Sequence, residues 1–175
     1  MRGIALILAA GKGSRMRSKT IKILHPILGR PMVMWPVAAA RKAGLEPWLV
    51  VGHQESIVKR SLTDNDLKFV KQPEAKGTGH ATLCAMDALP ENGVLVVMCG
   101  DTPLLKGETL KTLLQAHGDN LATVLSVKVQ DPAAYGRIVR DAAGRVQKIV
   151  EASEATPEEL AITEINAGAY AFNLK

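Results

Sequence analysis

The sequence predicts an α/β fold in which a mostly parallel sheet is flanked by helices. Two uninterrupted apolar runs, Ile4–Ala10 and Gly93–Met98, each lead into a glycine-containing turn. Runs of this length fit strands that are buried on both faces, as parallel strands are. Strand and helix patterns also alternate over the first two thirds of the chain, which is typical of βαβ units. We therefore expect a Rossmann-like arrangement.

The other elements of the first two thirds follow from apolar spacing and from the turn residues between segments. A helix is expected over 31–43, because Pro31 suits a first helical turn and Gly44 suits a helix end. Pro36 is expected to kink this helix, since proline lacks a backbone N–H donor. Further strands are expected over 47–52 and 68–70, and further helices over 54–62, 79–89 and 106–116.

The last third of the chain predicts β additions to this sheet. Residues 121–129 are rich in β-branched side chains, and residues 165–172 form another strand pattern. Between them, residues 138–140 and 146–150 flank a turn, which predicts an added β hairpin. We expect residues 1–175 to form one domain that is truncated at its C-terminal side, because the chain ends directly after a strand pattern.

Composition excludes several classes of protein. The chain has 175 residues, 47% of them hydrophobic, and a net charge of +5, which excludes intrinsic disorder. Its apolar runs are far shorter than the about 20 residues that a membrane-spanning helix needs, so no membrane partner is expected. No secretory signal opens the chain, and Cys84 and Cys99 lack metal-type spacing. These features favour a reducing cytoplasm.

Positive charge is concentrated near the start of the chain. Residues 1–60 hold eleven Lys and Arg against two acids, a net of +9, whereas residues 61–175 hold eleven against fifteen, a net of −4. The densest cluster is Lys12, Arg15, Arg17, Lys19 and Lys22. This cluster fits a solvated loop, a nucleic-acid surface, or a loop that holds a small polyanion such as a nucleoside triphosphate. With six aromatic residues and no nucleic-acid module in the chain, no nucleic-acid partner is expected.

The loop over residues 11–22 follows the first predicted strand, where open parallel sheets bind ligands. Gly11 and Gly13 allow the backbone to approach a ligand closely. Arg15 can grip phosphate oxygens through two parallel hydrogen bonds. The loop lacks the Walker spacing, and it fails the dinucleotide fingerprint at Met16, where the third glycine should stand. It therefore predicts an anion-binding loop of neither common class.

Several motifs in order identify a resemblance to a known family. The run from Leu8 to Met16, with Lys22 shortly after, resembles the signature of sugar-1-phosphate nucleotidyltransferases. The further motifs lie at 22–25, 29–32, Gln72 with 77–81, 100–104, 131–138, 149–151 and 164–168. Together they are similar to the N-terminal pyrophosphorylase (uridylyltransferase) domain of the bifunctional bacterial enzymes that make UDP-N-acetylglucosamine. The resemblance implies a fold of the nucleotide-diphospho-sugar transferase type.

The resemblance also implies an activity. It would be the transfer of UMP from UTP to N-acetylglucosamine 1-phosphate, with release of pyrophosphate and with Mg²⁺ as cofactor, in the synthesis of cell-wall precursors. Such transfer needs no covalent intermediate, so catalysis would rest on positioning and on neutralising phosphate charge. We expect the acetyltransferase β-helix domain of those enzymes to be absent from these residues, and a homo-oligomer, where one forms, to use that C-terminal domain.

Individual roles follow from the resemblance, residue by residue. Arg15 would hold the leaving pyrophosphate, Lys22 would hold the reacting phosphates, and Asp101 would be the metal ligand. The nucleotide would be bound by Leu8, Ala9, Ala10, Gly11, Gly13, Gln72, Gly77 and Thr78. The sugar would be bound by Gly100, Gly136, Glu151 and Asn166. The Gln72 amide, which carries a donor and an acceptor, would pair with both O4 and N3–H of uracil.

Other interpretations stay open from the sequence. Asp101 could cap the helix near Lys106, Gln72 could be a polar residue of a Gln-Pro turn, and His80 is interpreted as structural. The chain could also be a nucleotidyltransferase for a different sugar or for CTP, or a non-catalytic module that kept the fold.

Overall fold

The computed structural model describes residues 3–11, 13, 16–52, 54–64 and 66–174. The chain divides into two compact units. The first contains residues up to Thr123 together with the final segment from Tyr170, and the second contains Val124–Ala169.

Strands and helices alternate along most of the chain. In order, they are β1 (Gly3–Leu8), β2 (Pro26–Ile27), β3 (Arg30–Pro31), α1 (Met34–Lys42), β4 (Glu46–Val51), α2 (Glu55–Ser61), β5 (Lys68–Lys71), α3 (Thr78–Leu83), β6 (Gly93–Cys99), α4 (Gly107–His117), β7 (Ala122–Lys128), β8 (Arg137–Arg140), β9 (Val146–Val150), α5 (Pro157–Leu160) and β10 (Glu164–Leu174). Two 3₁₀ turns, Lys22–Leu24 and Met86–Ala88, complete the set among the described residues.

The sheet of the first unit is built around β1. Strands β4 and β6 pair with β1 in parallel on its two sides, and β5 pairs in parallel with β4. The last residue of β1, Leu8, lies opposite Val50 and Cys99, so neighbouring strands end at nearly the same level. The loops that follow these strands therefore meet at one edge of the sheet. This arrangement confirms the predicted mostly parallel α/β fold.

Burial of the central strands forms the core of the first unit. Residues 4–7 of β1 are at most 1% exposed, as expected for a strand covered on both faces. One cluster joins the strand residues Ile4, Leu6, Trp48, Val50, Leu95 and Val97 to Ala81 of α3 and to Ala85, which follows that helix. Helix α1 packs against β4 and α4. Among the described residues, no helix has the length and apolar character needed to cross a bilayer.

Helix α1 begins three residues later than the sequence predicts. Pro31 lies in β3, which pairs with β2 in a small hairpin whose turn is Leu28 and Gly29. Pro36 is the third residue of α1. The first backbone N–H groups of a helix have no acceptor within it, so proline at this position removes no helical hydrogen bond. The reason for expecting a kink at Pro36 is therefore gone.

The helix predicted over 79–89 is also shorter than expected. Helix α3 ends at Leu83 and is followed by the 3₁₀ turn at Met86–Ala88. Leu89 is extended. A residue before proline is kept out of the helical region by the proline ring, and Pro90 follows here. The chain therefore leaves the helical conformation before the end of the predicted segment.

The second unit contains the predicted hairpin. Strands β8 and β9 pair antiparallel, and Asp141 closes their turn by accepting hydrogen bonds from the backbone N–H groups of Ala143 and Arg145. Ile165 of β10 lies opposite Arg137 of β8, again antiparallel. Helix α5, which the sequence reasoning missed, begins with a capping box between Thr156 and Glu159.

Candidate functional site

A cavity of about 550 Å³ lies in the first unit, at the carboxyl ends of its parallel strands. Three strands deliver residues to it directly: Leu8 ends β1, Cys99 ends β6, and Gln72 comes immediately after β5. The start of α3 supplies Gly77 and Thr78. This is the edge at which open parallel sheets bind ligands.

Ten of the site residues that the sequence predicts line this cavity. They are Leu8, Ala9, Ala10, Gly11, Gly13, Lys22, Gln72, Gly77, Thr78 and Asp101. Five further lining residues were not predicted: Met16, Ile23, Ala75, Ala81 and Cys99. Met16, Ile23 and Ala81 lie within the motifs at 8–16, 22–25 and 77–81, and Cys99 directly precedes the motif at 100–104, so their position in or beside a motif could have indicated them. Arg15 lies outside the described residues.

The floor of the cavity is fixed by backbone hydrogen bonds. Ala9 N–H donates to the carbonyl of Val50 at 2.8 Å, and Gly100 N–H donates to the carbonyl of Leu8 at 2.9 Å. A Cβ added to Gly100 would lie 3.0 Å from that carbonyl oxygen. Gly100 therefore allows β6 and the end of β1 to approach each other, and it lies beside the lining residues rather than among them.

The first loop packs tightly onto Lys22. Gly13 has a φ of +62°, and a Cβ at this position would lie 2.7 Å from Cβ of Lys22. A side chain there would suffer both backbone strain and a clash. Glycine at position 13 therefore lets the loop run directly over Lys22, which faces the cavity.

Lys22 and Asp101 form an ion pair at the cavity wall. Nζ of Lys22 donates to Oδ2 of Asp101, and each side chain is 34% exposed. Thr102 supports the turn after β6, because its Oγ1 donates to the carbonyl of Cys99 at 2.8 Å. The predicted cation and the predicted carboxylate thus share one cleft.

Asp101 does not cap α4, as one interpretation of the sequence had it. The N-cap of this helix is Lys106, and no side chain accepts a capping hydrogen bond there. Asp101 lies five residues earlier, on the cavity wall, where its carboxylate is held by Lys22. The helix-cap interpretation is therefore wrong.

The donor set suits one kind of metal site. Among the residues that the structure describes, no group of three or more His, Cys, Asp and Glu could enclose an ion. Asp101 offers a single carboxylate beside a cavity. Mg²⁺ often binds through one or two carboxylates and completes its coordination with waters and substrate phosphates. The residues present therefore fit Mg²⁺ that arrives with a phosphate ligand.

The surroundings of Cys99 disfavour its thiolate form. Burial raises the pKa of the Cys99 thiol, and the negative charge of Asp101 raises it further. The thiolate is the reactive form of cysteine, so a raised pKa keeps the thiol unreactive at neutral pH. This agrees with chemistry that needs no covalent intermediate.

Gln72 is a buried polar residue that lines the cavity. It is 4% exposed, and its backbone N–H donates to the carbonyl of Val51 at 2.8 Å. Its side-chain Nε2 lies 3.1 Å from the carbonyl oxygen of Gly77 and 3.0 Å from Nδ1 of His80. Gln72 is thus fixed at both the main chain and the side chain.

In the second unit, the structure brings together the other three predicted sugar-binding residues. The backbone N–H of Asn166 donates to the carbonyl of Gly136 at 2.8 Å. A Cβ at Gly136 would lie 3.3 Å from Oε1 of Glu151, so the glycine leaves room for this carboxylate. Oδ1 of Asn166 accepts from the backbone N–H of Gly168 at 3.0 Å.

Comparison with known proteins gives the family. The model of the MobA-like NTP transferase domain matches residues 5–161, which is most of the chain. The chain belongs to this family. The resemblance drawn from the sequence motifs is thereby confirmed at the level of an NTP transferase domain.

Two similar curated relatives of this NTP transferase domain are both named bifunctional protein GlmU. The one from Pelobacter propionicus is 51% identical over 171 residues, covering 95% of this chain and 37% of the relative. The one from Shouchella clausii is 47% identical over 173 residues, covering 97% of this chain and 38% of the relative. The chain thus spans little more than a third of the length of these relatives.

Solved structures confirm the fold. A crystal structure of UDP-glucose pyrophosphorylase complexed with UDP-glucose superimposes with a TM-score of 0.78 at 22% identity, covering 98% of this chain and 76% of that one. An apo UDP-glucose pyrophosphorylase gives a TM-score of 0.80 at 20% identity, with 99% and 77% covered. The NTP transferase domain therefore has the predicted nucleotide-sugar transferase fold.

Proposed function

We propose that this NTP transferase domain transfers UMP from UTP to N-acetylglucosamine 1-phosphate, giving UDP-N-acetylglucosamine and pyrophosphate. The observation that carries the proposal is the cavity that holds Lys22, Asp101 and Gln72 together. A cation, a carboxylate and a buried amide at one sheet edge suit a triphosphate, its metal ion and its base. The identity of about half to relatives named GlmU supports this choice of substrates.

The reaction exchanges one phosphoanhydride bond for another. A phosphate oxygen of the sugar phosphate attacks the α-phosphorus of UTP, and the bond from that phosphorus to the bridging oxygen breaks, so pyrophosphate leaves with the electron pair. Charge on the phosphates is the main obstacle, and fixed cations lower it. Lys22 faces the cavity and is placed to supply one such cation. By the family motif, Arg15 supplies another.

Asp101 would hold the proposed Mg²⁺. When bound, the metal would neutralise charge on the phosphate oxygens. Lys22 contacts Oδ2 of the Asp101 carboxylate in this structure, so the lysine and a metal ion would compete for that oxygen. The charge of the incoming triphosphate gives Lys22 an alternative partner.

The nucleoside and the sugar would be bound by different parts of the chain. Leu8, Ala9, Ala10, Gly11 and Gly13 would lie along the nucleotide, with Gln72, Gly77 and Thr78 at the base. Gly100, Gly136, Glu151 and Asn166 would bind the sugar, with Glu151 and Asn166 reaching its hydroxyls.

The proposed product implies a cellular setting. UDP-N-acetylglucosamine is a precursor for peptidoglycan and lipopolysaccharide, so we place the domain in the cytoplasm. Oligomerisation, where it occurs, would use the part of the longer relatives that this chain does not cover.

Pyrophosphate release tests the proposal directly. The chain is incubated with Mg²⁺, one nucleoside triphosphate and one sugar 1-phosphate, and pyrophosphate is measured over time. UTP with N-acetylglucosamine 1-phosphate should give the highest kcat/KM in a panel that includes CTP and glucose 1-phosphate. A higher kcat/KM with glucose 1-phosphate would show that the proposed sugar is wrong. The absence of turnover with every pair would favour a non-catalytic module.

A further inference from the structure

The buried amide of Gln72 is held by the first turn of α3. Gly77 is the N-cap of this helix, and His80 is its third residue. Nε2 of Gln72 contacts both of them, at 3.1 Å to the Gly77 carbonyl oxygen and 3.0 Å to Nδ1 of His80. The orientation of the amide therefore depends on these two neighbours.

Chemistry fixes which end of the amide faces them. A backbone carbonyl oxygen only accepts hydrogen bonds, so the amide atom beside Gly77 is the nitrogen and not the oxygen. The same nitrogen donates its second hydrogen to Nδ1 of His80, which has to be unprotonated to accept it. A neutral His80 ring consequently carries its proton on Nε2.

In this arrangement, the only group of the Gln72 amide that remains available to a ligand is its hydrogen-bond acceptor, Oε1. Both of its amide hydrogens are used within the protein, and no group among the described residues donates to its Oε1. Gln72 lines the cavity beside Gly77 and Thr78. An acceptor there suits N3–H of uracil, whereas N3 of cytosine carries a lone pair and would be repelled. The sequence-based expectation that the amide also donates to O4 needs a hydrogen that is already engaged.

We propose that His80 is a positioning residue for selection of the base, an inference that rests on the proposed uridylyl transfer. Its unprotonated Nδ1 holds the Gln72 amide with Oε1 directed at the base. A turned amide would set Oε1 against the Gly77 carbonyl and against the lone pair of Nδ1. It would also present its N–H₂ group to the base, as cytosine requires. His80 thereby favours uridine over cytidine nucleotides without touching either.

The ratio of two binding constants tests this role. Dissociation constants for UTP and CTP are measured by calorimetry on the whole chain and on its variants, with the melting temperature as a folding check. Both nucleotides carry the same triphosphate, so changes in overall charge cancel in the ratio.

His80→Ala removes one of the two acceptors and should lower the preference for UTP about tenfold. His80→Asp supplies an acceptor that cannot donate and should keep most of the preference. Leu83→Ala, on the exposed side of α3, should leave it unchanged.

The outcomes separate this inference from the proposed function. A wild-type chain that binds UTP and CTP equally would contradict uridine selection itself. An unchanged preference for UTP in His80→Ala would overturn only the role of His80. The same role would be overturned if His80→Asp lost the preference as fully as His80→Ala does. Nitrogen-15 NMR of the wild-type imidazole decides the matter if the variants unfold. Nδ1 should give the signal of an unprotonated nitrogen, and a proton on Nδ1 would overturn the proposal.

Discussion

Lys22 and Asp101, which lie 79 positions apart in the chain, form an ion pair at the wall of the cavity. The lysine belongs to the turn after the first loop, and the aspartate follows β6. Each side chain remains about one-third exposed. Such a pair contributes at most about 1 kcal/mol, so a triphosphate can separate it at little cost. The pair therefore keeps both groups in the cavity without locking them together.

Lys22→Ala should have opposite effects on metal binding and on turnover. Removing the ammonium frees the Asp101 carboxylate, so Mn²⁺, used as a probe for Mg²⁺, should bind the nucleotide-free chain about two- to fivefold more tightly. Turnover with UTP should fall about 10²- to 10³-fold, because a cation that neutralises phosphate charge is lost. Calorimetry and pyrophosphate release measure the two effects. Lys111→Ala on α4 is the charge-matched control, and weaker Mn²⁺ binding by Lys22→Ala would contradict the competition.

Asp101→Asn should raise the Mg²⁺ concentration needed for half-maximal turnover by at least tenfold, because an amide is a weaker ligand for a hard cation than a carboxylate. Its melting temperature should change little, since Asp101 caps no helix and its ion pair is partly exposed. Mg²⁺ titrations of pyrophosphate release and thermal unfolding give the two quantities. Identical Mg²⁺ titrations of the wild type and the variant would show that Asp101 does not bind the metal.

The sequence predicts the parallel part of this fold well and its turns less well. The apolar runs Ile4–Ala10 and Gly93–Met98 are typical of strands buried on both faces, as in a parallel sheet, so their pattern carries tertiary information. Pro31, by contrast, suits a first helical turn and a short strand equally well. Its place in β3 depends on the pairing with Pro26, which no local preference encodes. The sequence does contain a signal for the extended conformation of Leu89, because Pro90 follows it, but no such signal marks the end of α3 at Leu83.

The residues of the candidate site also fall into those that the sequence predicts and those that it does not. Residues at strand ends, such as Leu8 and Asp101, could be predicted because parallel strands bring their carboxyl ends together. The contact between His80 and Gln72 could not, since it depends on how the turn before α3 folds back onto β5. The sequence therefore predicts only a structural role for His80, and the proposed link to the base rests on its contact with the Gln72 amide in the fold.

Arg15→Ala should reduce turnover by about two orders of magnitude or more and leave the melting temperature nearly unchanged. By the family motif, its guanidinium would hold the leaving pyrophosphate, and a bidentate contact to phosphate is hard to replace. Arg15→Lys keeps the positive charge but loses the two parallel hydrogen bonds of the guanidinium, so it should show only part of the wild-type activity. Steady-state pyrophosphate release compares the three proteins. Full activity in Arg15→Ala would exclude the residue from the reaction.

Gly100→Ala should destabilise the first unit by about 1 to 3 kcal/mol, because the new methyl group would press on backbone. Its Cβ would lie 3.0 Å from the carbonyl oxygen of Leu8 and 3.4 Å from Cβ of Ala9, so the ends of β6 and β1 have to separate. Gly79→Ala is the matched control. A Cβ at Gly79 meets no atom within 4 Å, and alanine is the better helix former. Urea unfolding should show a loss for the first variant and no loss for the second.

Glu164 and Arg140 give the second unit a pH dependence of defined sign. Arg140 donates from Nε and Nη2 to the two carboxylate oxygens, at 2.8 and 2.6 Å. This contact lowers the pKa of Glu164 from an ordinary 4.5 to about 2. A carboxyl whose pKa is lower in the folded state stabilises the fold above its unfolded pKa. The contribution is therefore present at neutral pH and lost as the pH falls from 4.5 toward 2.

Glu164→Gln should accordingly cost about 1 kcal/mol of unfolding free energy at pH 7, a modest value because Arg140 is 40% exposed. The difference between wild type and variant should shrink steadily below pH 4.5 and be mostly lost by pH 2, where about half of the folded molecules carry a protonated Glu164. Urea unfolding at a series of pH values measures it, with Glu154→Gln as the control for an exposed glutamate of the same unit. A difference that stays constant down to pH 2 would show that packing of the side chain, and not its charge, stabilises β10.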